Sequence, residues 1–523
     1  MSPTTATRPG YLATFTNLDS YKKATLIALV VSILYFCWYY FVLCNLPFIG
    51  TPTFRIDYIA ASLSRGDSLL NAVTDSRPVN RILSFFQTRF AIAVLHGDTS
   101  YGLYLTQYLA VFVYFFCVAS TINYLFKANL GVLALVAGFG VFAMSPEVIS
   151  SIYKLETIVG SRSMLFGGLS LLVLMRWDRD RKHIQAAGFF FLYALSIFSK
   201  EDFALPPLLL LGWMLVRNGN ILDQVRTYKY MLISAGAVLL FFLIYNEWLI
   251  KGHAFIDPVN VHGSPYFMSL SPSSLFRVAK RYIVGFDDTL AAIFIVYVLA
   301  AVALFISGKH RRENILVALI IGGLMAPYLI MPNHVFDYYA TKWIAWQIML
   351  VPVAIKLICP QRTIATALTA GLAAAAFSLT ILGIMQHRAY QYYQSAYLRT
   401  HFNISRNMKE TLERNRLALN AYDTVAITGI ARKDIGYTPW QNNGEFSSYL
   451  TRNLGLDSNW ILYVPSASPS VHSSKDSAGE STRKMTGKVQ VESLARLNAR
   501  TDLPVLAFNK DGTGRLLPPG SPH

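Results

Sequence analysis

Charged residues are scarce in this sequence. Asp, Glu, Lys and Arg make up 14% of its 523 residues, whereas roughly 25% is usual in soluble domains. Hydrophobic residues make up 54%, and the mean hydropathy is +0.39. The four cysteines all lie in or beside apolar runs, so neither a disulfide framework nor a zinc site is predicted. This composition argues strongly against an ordinary soluble enzyme.

Basic residues outnumber acidic ones, which gives a net charge of +17. Nucleic-acid binding is one explanation, but membrane proteins also concentrate Lys and Arg in their cytoplasmic loops. We therefore expect a lipid bilayer, and no nucleic acid, as a partner. The histidines do not follow a metal-binding spacing, so no metal site is predicted, and the cofactor stays unknown with a divalent cation left open.

Eleven apolar runs approach the ~20 residues needed to cross a bilayer. They lie at 24–48, 101–126, 131–152, 158–176, 184–199, 201–217, 229–250, 287–308, 314–331, 341–358 and 363–385. The fifth and sixth runs are short and adjoin at Lys200-Glu201-Asp202, so a buried hairpin is the alternative to two tilted spans. The pattern predicts an all-α polytopic membrane protein with about eleven transmembrane helices.

Alternate connections between these runs are short and densely basic. The basic set comprises Lys22-Lys23, Lys127, Arg176 to His183, Arg217 to Lys229, Lys309 to Arg312, and Arg362. Because such loops usually face the cytoplasm, residues 1–23 are predicted to be a cytoplasmic tail and 24–385 the transmembrane domain. An odd number of spans places 386–523 outside, and we expect a multi-pass protein of a bacterial inner membrane with a periplasmic C terminus.

The C-terminal segment, 386–523, has a different character. It begins with polar, helix-like sequence from Gln386 to Asn420, and alternating residues around 423–429 predict a strand that pairs with Trp460 to Val464. Residues 466–488 are rich in Ser and charge, which is typical of a flexible stretch. This segment is predicted to be a small extracytoplasmic α/β appendage.

Ionisable residues at a membrane edge are costly and commonly functional, and here they cluster in the predicted outer loops. The candidates that follow are Asp57, Arg77, Glu156, Arg162, Lys200, Glu201, His334, Tyr338 and Lys342. A carboxylate in such a cavity can accept a proton from an acceptor, and Lys and Arg can hold a phosphate leaving group. A donor made of an isoprenoid, a phosphate and a sugar suits both the apolar spans and this charged rim.

Several motifs resemble the GT-C class of integral-membrane glycosyltransferases, which use polyprenyl- or dolichyl-phosphate sugars. The resemblance covers roughly residues 24–345 and extends to protein O-mannosyltransferase-like enzymes and to bacterial transferases that move a sugar to a lipid or a protein. The motifs are Asp57 after the first run, Arg77-Pro78 before an amphipathic stretch, Gly160-Ser161-Arg162-Ser163-Met164-Leu165, and Ser199-Lys200-Glu201 followed by Leu205-Pro206-Pro207. The chain departs from many relatives in having a single acid in Ile56-Asp57-Tyr58, which leaves the metal requirement open.

The resemblance implies a hexosyl- or pentosyltransferase acting on a protein such as a pilin or on a lipid-linked surface glycan. It implies that Asp57 is the general base, that Lys200 and Arg162 bind the donor phosphate, and that Glu201 holds Lys200 or binds the sugar. The remaining candidates are assigned to substrate binding by their position, namely Arg77, Glu156, His334, Tyr338 and Lys342.

Other interpretations stay open. Asp57 also suits a helix cap or an ion pair, Lys200-Glu201 the polar tip of a hairpin, and Arg162 a side chain that reaches the head groups. A secondary transporter or flippase is the alternative function, although transporters place such groups near the bilayer midplane. Glu147 and Glu247 are the acids that fit that alternative. A membrane scaffold whose appendage binds a partner is the third hypothesis.

Overall fold

The computed structural model describes fifteen stretches of the chain and scattered positions between 361 and 378. The stretches are 20–37, 77–94, 99–153, 158–200, 205–216, 221–245, 268–285, 288–359, 407–408, 410–429, 456, 459–464, 489–493, 502–509 and 511–521. The chain forms two compact units, a helical one of residues 1–45, 73–80 and 105–386 and a second one of residues 46–72, 81–104 and 387–523. Asp57, Glu156, Glu201 and Glu247 lie outside the described residues.

Long helices dominate the described part of the chain. They are α1 (Ser20–Cys37), α2 (Pro78–Val94), α3 (Thr99–Phe126), α4 (Val132–Met144), α5 (Pro146–Tyr153), α6 (Ile158–Asp180), α7 (His183–Ser199), α8 (Leu205–Val216), α9 (Ile221–Ile244), α10 (Pro272–Lys280), α11 (Asp288–Ile306), α12 (Arg311–Leu329) and α13 (Thr341–Ile358). A π-helical turn, Arg281–Gly285, follows α10, and a 3₁₀ turn, Asp337–Ala340, precedes α13. The prediction of a mostly helical polytopic fold is thereby confirmed.

Six helices in the described ranges are long and apolar enough to cross a bilayer. They cover 106–126, 158–180, 222–244, 288–306, 311–329 and 337–358. The bent pair α4 and α5 adds a seventh if it is one span. Helix α7 has only 17 residues and α8 only 12, which matches the short fifth and sixth runs. The total of eleven spans stays a prediction.

The helices differ in how much of their surface other helices cover. The apolar windows of α3 and α13 are 78% and 72% buried, whereas those of α9 and α11 are only 28% and 22% buried. A helix that is apolar on all sides and still exposed in a folded chain is typical of a lipid-facing helix. We conclude that α3 and α13 form the centre of the helical unit and that α9 and α11 lie at its periphery.

Glycines allow α8 and α12 to pack closely. A Cβ on Gly212 of α8 would lie 2.2 Å from Leu316 Cδ1, and a Cβ on Gly323 of α12 would lie 2.5 Å from Leu208 Cδ1. On each helix, a leucine from the other helix therefore packs directly against a glycine. Small residues at helix contacts have this role in membrane proteins, where dispersion and close packing supply much of the association energy.

The predicted run 131–152 is broken into α4 and α5. Their axes differ by 64°, and Ser145 lies between them with its hydroxyl donating to Phe142 O at 2.7 Å. Pro146 begins α5, and a proline has no N–H to continue the helical hydrogen bonds. The single span predicted from hydropathy is therefore two helical pieces.

The C-terminal end of α6 carries a buried carboxylate, Asp178, which is 7% exposed. Arg181 donates to it at 2.8 Å, Tyr124 of α3 donates at 2.8 Å, and Tyr228 of α9 also donates to it. The Trp213 indole of α8 in turn donates to the Tyr228 hydroxyl at 3.1 Å. These bonds satisfy the buried charge and join four helices at one end of the helical unit.

The same end, called here the Asp178 end, collects the other basic connections. The rings of Phe126 and His310 lie 5.7 Å apart, which joins the end of α3 to the start of α12. Lys309 Nζ donates to Leu357 O at 3.3 Å, which adds the end of α13. The ends of α3, α6, α8 and α13 and the starts of α9 and α12 therefore lie at the Asp178 end.

The second unit contains a five-stranded sheet. Its strands are β1 (Thr424–Thr428), β2 (Asn459–Val464), β3 (Val489–Ser493), β4 (Val505–Phe508) and β5 (Gly514–Leu517), in the spatial order β3-β2-β1-β4-β5. The pairs β3-β2, β2-β1 and β1-β4 are parallel, and β5 is antiparallel to β4. A short helix, α14 (Arg416–Leu419), precedes β1. The predicted pairing of the strands near 423–429 and 460–464 is confirmed, and three further strands extend it.

Candidate functional site

Tyr339 lies at the centre of a polar and aromatic cluster at the end of the helical unit opposite Asp178. Its ring is 5% exposed and stacks on Tyr328 of α12, with the centroids 4.0 Å apart and the planes at 23°. Its hydroxyl shares a hydrogen bond of 2.7 Å with His334 Nε2. The 3₁₀ turn that holds Tyr339 therefore connects the end of α12 to the start of α13.

Two lysines approach the Tyr339 ring from different helices. Lys200 follows the last residue of α7, and its Nζ lies 4.6 Å from the ring centroid. Lys342 lies in the first turn of α13, and its Nζ lies 5.8 Å from the same centroid and 5.0 Å from that of Tyr328. Lys342 also donates to the Tyr328 hydroxyl and is only 2% exposed. Both ammonium groups are thus held against aromatic rings, an arrangement that favours a cation.

The segment from Gly160 to Ser163 positions Lys200. Ser163 Oγ lies 3.3 Å from Lys200 O and 3.0 Å from Ser196 O, and Ser196 Oγ donates back to Ser163 O at 2.8 Å. A Cβ on Gly160 would lie 3.9 Å from Lys200 Cδ. The small residues at the start of α6 thus let the end of α7 approach closely, so the two motifs around 160–165 and 199–201 meet.

Arg162 connects this region to the start of α2. It is 6% exposed, and its Nη1 donates to Asn80 O at 2.8 Å and to Asn80 Oδ1 at 2.6 Å. Asn80 lies in the first turn of α2, which begins at Pro78, and half-buried Arg77 precedes that turn. The Arg77-Pro78 motif is therefore tied to the 160–165 motif through one asparagine.

The backbone of Lys342 is itself fixed by a hydrogen bond. The Tyr114 hydroxyl of α3 donates to Lys342 O at 2.6 Å and accepts from the Trp346 indole at 3.2 Å. Tyr282, from the π-helical turn, packs edge-on against Trp343 with the centroids 5.3 Å apart. Aromatic side chains of α3, α12, α13 and the π-helical turn therefore form a wall around Lys342 and limit the conformations that it can adopt.

An acidic residue, Glu147, lies close to this wall. It is fully buried in the first turn of α5, and Thr341 Oγ1 donates to its backbone oxygen at 3.1 Å. Thr341 is the residue before Lys342 and the first residue of α13. Glu147 is thus level with the start of α13, at the Tyr339 end of the helical unit.

The structure brings together most of the predicted site residues that it describes. Lys200, His334 and Lys342 meet at Tyr339, and the Tyr338 ring lies 4.6 Å from that of Tyr339. Arg162 contacts Asn80, and the Ser163 that follows it contacts Lys200. The roles of these residues stay predictions, as do those of Asp57, Glu156 and Glu201.

The predicted site did not include Tyr328, Tyr339 or Asn80, and Glu147 was assigned only to the alternative of a transporter. Tyr339 is adjacent to the predicted Tyr338, and Asn80 lies three residues after the predicted Arg77, so both were close to a visible signal. Among the described residues, no group of three His, Cys, Asp or Glu side chains is placed to hold a metal ion. The described side chains of the cluster are mainly cationic and aromatic.

These side chains suit a particular kind of ligand. Arginine and lysine bind phosphate oxygens through charge-assisted hydrogen bonds, and such bonds are strong in a site that excludes water. Aromatic rings offer flat apolar surfaces to a sugar or a lipid chain.

No protein-family model matches the sequence, and no curated protein matches it either.

Proposed function

We propose that the protein is a membrane glycosyltransferase that moves a monosaccharide from a polyprenyl-phosphate donor to an extracytoplasmic acceptor. The observation that carries the proposal is the convergence of Lys200 and Lys342 on Tyr339, with Arg162 held beside the same helix ends. Cations that cluster at one end of an apolar helical unit, with Arg162 and Lys342 buried and Lys200 half-buried, suit a ligand that joins a lipid to a phosphate.

The proposed chemistry assigns the cations to the leaving group. The bond between the anomeric carbon and the phosphate oxygen breaks, and a bond from that carbon to the acceptor forms. The phosphate leaves with the electron pair, and Lys200, Arg162 and Lys342 stabilise the charge that develops on it. Asp57 takes the proton of the acceptor, since a carboxylate is a suitable general base.

The remaining residues are proposed to hold the sugar and the acceptor. Glu201 and Glu156 flank the cationic helix ends in the sequence, and Arg77 directly precedes the turn that binds Arg162. His334 and Tyr338 both contact Tyr339, in the segment that leads into α13. In this proposal the acceptor is a protein such as a pilin or a lipid-linked surface glycan.

The proposed orientation follows from the charges at the two ends of the helical unit. Connections at the Asp178 end are short and densely basic, with Arg181, Lys309 and Arg311, whereas the connection at the Tyr339 end that carries Arg277, Lys280 and Arg281 is longer and less densely basic. The positive-inside rule therefore assigns the Asp178 end to the cytoplasm and the site to the periplasmic side of a bacterial inner membrane. A donor sugar presented outside the cytoplasm reaches the site from the bilayer.

One observation favours the alternative of a transporter or flippase. Transporters use broken helices with ionisable groups near the bilayer midplane, and Glu147 is a buried acid at the break between α4 and α5. Its backbone, however, is bonded to Thr341, the first residue of α13, and therefore lies near a helix end. This position supports a site at the membrane edge more than a transport site at half depth.

Intact-mass analysis of surface glycolipids and surface proteins tests the proposal. Cells would carry the wild type, Asp57→Asn, or no copy, and we expect a sugar-sized mass increment with the wild type only. Identical masses in all three samples, with the protein present and the acceptor classes covered, would contradict it. Loss of solute uptake in Glu147→Gln with unchanged glycan masses would favour the transporter instead.

A further inference from the structure

The segment 268–285 contains an amphipathic helix whose inner face is fixed to the helical unit. Helix α10 starts at Pro272 after the cap Ser271, whose hydroxyl accepts from Ser274 N at 3.3 Å. Ser274, Val278 and Tyr282 recur every four residues and are 3%, 2% and 1% exposed. This spacing places them on one buried side of the helix and its continuation.

The opposite side of the helix combines cations with large apolar groups. Two stripes at a spacing of four residues are exposed there, namely Ser273, Arg277 and Arg281, and Phe276, Lys280 and Val284. Phe276 is 72% exposed and Val284 is 51% exposed. These six residues are called the α10 face below. A large exposed aromatic ring between cations is unusual for a surface in water and typical of an interfacial helix.

The α10 face lies at the Tyr339 end of the helical unit. Ser269 N donates to Ile330 O, just after α12, at 2.8 Å, and the Tyr282 ring lies 6.4 Å from that of Tyr328. Helix α11, which follows in the chain, exposes the acid Asp288 at its first residue and apolar side chains along the rest of its length, such as Leu299, at 64%. The exposed surface thus changes from apolar along α11 to mixed cationic and apolar at α10, which is the change expected at a membrane boundary.

We propose that the α10 face binds anionic phospholipid headgroups at the edge of the bilayer. Phe276 and Val284 would enter the boundary between headgroups and acyl chains, and Arg277, Lys280 and Arg281 would pair with the lipid phosphates. Each basic residue near such a surface favours anionic lipid by about 1 kcal/mol, or roughly fivefold. The proposal rests on the bilayer-spanning helices and not on glycosyl transfer.

Quenching of a tryptophan at position 276 measures this contact directly. Full-length Phe276→Trp would be reconstituted in phosphatidylcholine vesicles with a small fraction of shallow doxyl-labelled lipid, either phosphatidylglycerol or phosphatidylcholine. The wild type, measured in parallel, supplies the quenching of the native tryptophans. We expect the added indole to be quenched at least about threefold more by the labelled phosphatidylglycerol, because the cations enrich it locally.

Two charge variants in the Phe276→Trp background make the test specific. Arg277→Ser with Lys280→Ser should clearly reduce the preference for phosphatidylglycerol, because only Arg281 of the three cations remains, whereas Arg226→Ser with Lys229→Ser, exposed on α9, should leave the preference unchanged. Equal quenching by the two lipids overturns the proposal, because it shows lipid contact without headgroup selection. Absence of quenching by either lipid also overturns it, since the face is then covered by something else. Neither result depends on whether the protein transfers sugar.

Discussion

Lys200 and Lys342 approach the same tyrosine ring although they are 142 residues apart in the sequence. Their Nζ atoms lie 4.6 and 5.8 Å from the Tyr339 centroid. Two ammonium groups repel each other, so bringing both to one ring lowers the stability of the fold. An anionic ligand that contacts both ammonium groups would relieve the repulsion, and this is why we propose a phosphate as the ligand.

Tyr339→Leu should impair transfer more than Tyr339→Phe. The phenylalanine keeps the ring against both lysines and loses the hydrogen bond of the hydroxyl with His334, whereas leucine removes the aromatic face from both cations. Cation–π contacts of about 1 kcal/mol each predict roughly a tenfold or larger loss in kcat/KM for the leucine variant. Transfer assays in membranes would measure it.

Tyr230→Leu is the matched control for that comparison. Lys229 Nζ lies 5.0 Å from the Tyr230 ring, a similar contact on α9 that is not part of the site. We expect this variant to transfer at the wild-type rate. Equal losses in Tyr339→Leu and Tyr230→Leu would show that the effect is one of general stability.

Asn80→Ala should weaken the use of the donor by releasing Arg162. The substitution removes the Oδ1 acceptor at 2.6 Å and leaves the backbone oxygen of residue 80 at 2.8 Å in place. A hydrogen bond to a charged group contributes about 1.5–3 kcal/mol, so we expect roughly a tenfold higher KM for the donor. Asn80→Asp retains an acceptor but places a negative charge beside Arg162, so it should also raise the KM for an anionic donor; a KM that stays wild-type in Asn80→Ala would remove Asn80 from this role.

Gly323→Ala should destabilise the packing of α8 on α12. The new Cβ would lie 2.5 Å from Leu208 Cδ1, and overpacking of this kind typically costs about 1–3 kcal/mol. The neighbouring Gly322→Ala is the control, because nothing lies within 4 Å of its Cβ position. Thermal unfolding in detergent should give a lower Tm for Gly323→Ala alone, and equal Tm values would contradict the close contact.

Gly429→Ala should loosen the sheet of the second unit. Gly429 has φ +98°, and a Cβ there would lie 1.7 Å from Phe508 O of β4. Gly520, at φ +82°, has nothing within 4 Å of its Cβ position, so Gly520→Ala shares the backbone strain of about 1–2 kcal/mol without the clash. Hydrogen exchange of the 424–428 and 505–508 segments should rise in Gly429→Ala and change little in Gly520→Ala.

The helical elements could be predicted well from the sequence because long apolar runs have few alternatives in a membrane. Run 158–176 became α6 and run 341–358 became α13 with the predicted bounds nearly unchanged. The break at Ser145-Pro146 was missed because hydropathy averages over a window and does not register the lost N–H of one proline. Strands β4 and β5 have only four residues each, too few to show a period-two pattern.

The cations of the site could be predicted from the sequence, but the tyrosine at its centre, Tyr339, could not. Lys200, Arg162 and Lys342 are visible in the sequence because charges are rare near apolar runs. Tyr339 is one of 30 tyrosines, and although it adjoins the predicted Tyr338, no motif selects it over its neighbour. Its importance arises from contacts with α7 and α12, which only the packing of distant helices creates.

The most direct test of the account compares sugar transfer by Lys200→Met and Lys229→Met. Both lysines contact a tyrosine ring, with Nζ at 4.6 Å from Tyr339 and 5.0 Å from Tyr230, so methionine removes a similar contact in each. Membranes carrying each variant would be supplied with the cell's lipid-linked sugars, and the release of polyprenyl phosphate with acceptor present would be measured. We predict a loss of about 10²–10³-fold in Lys200→Met, because a cation on the leaving phosphate acts in the transition state, and a wild-type rate in Lys229→Met. Equal rates in both variants would contradict the account.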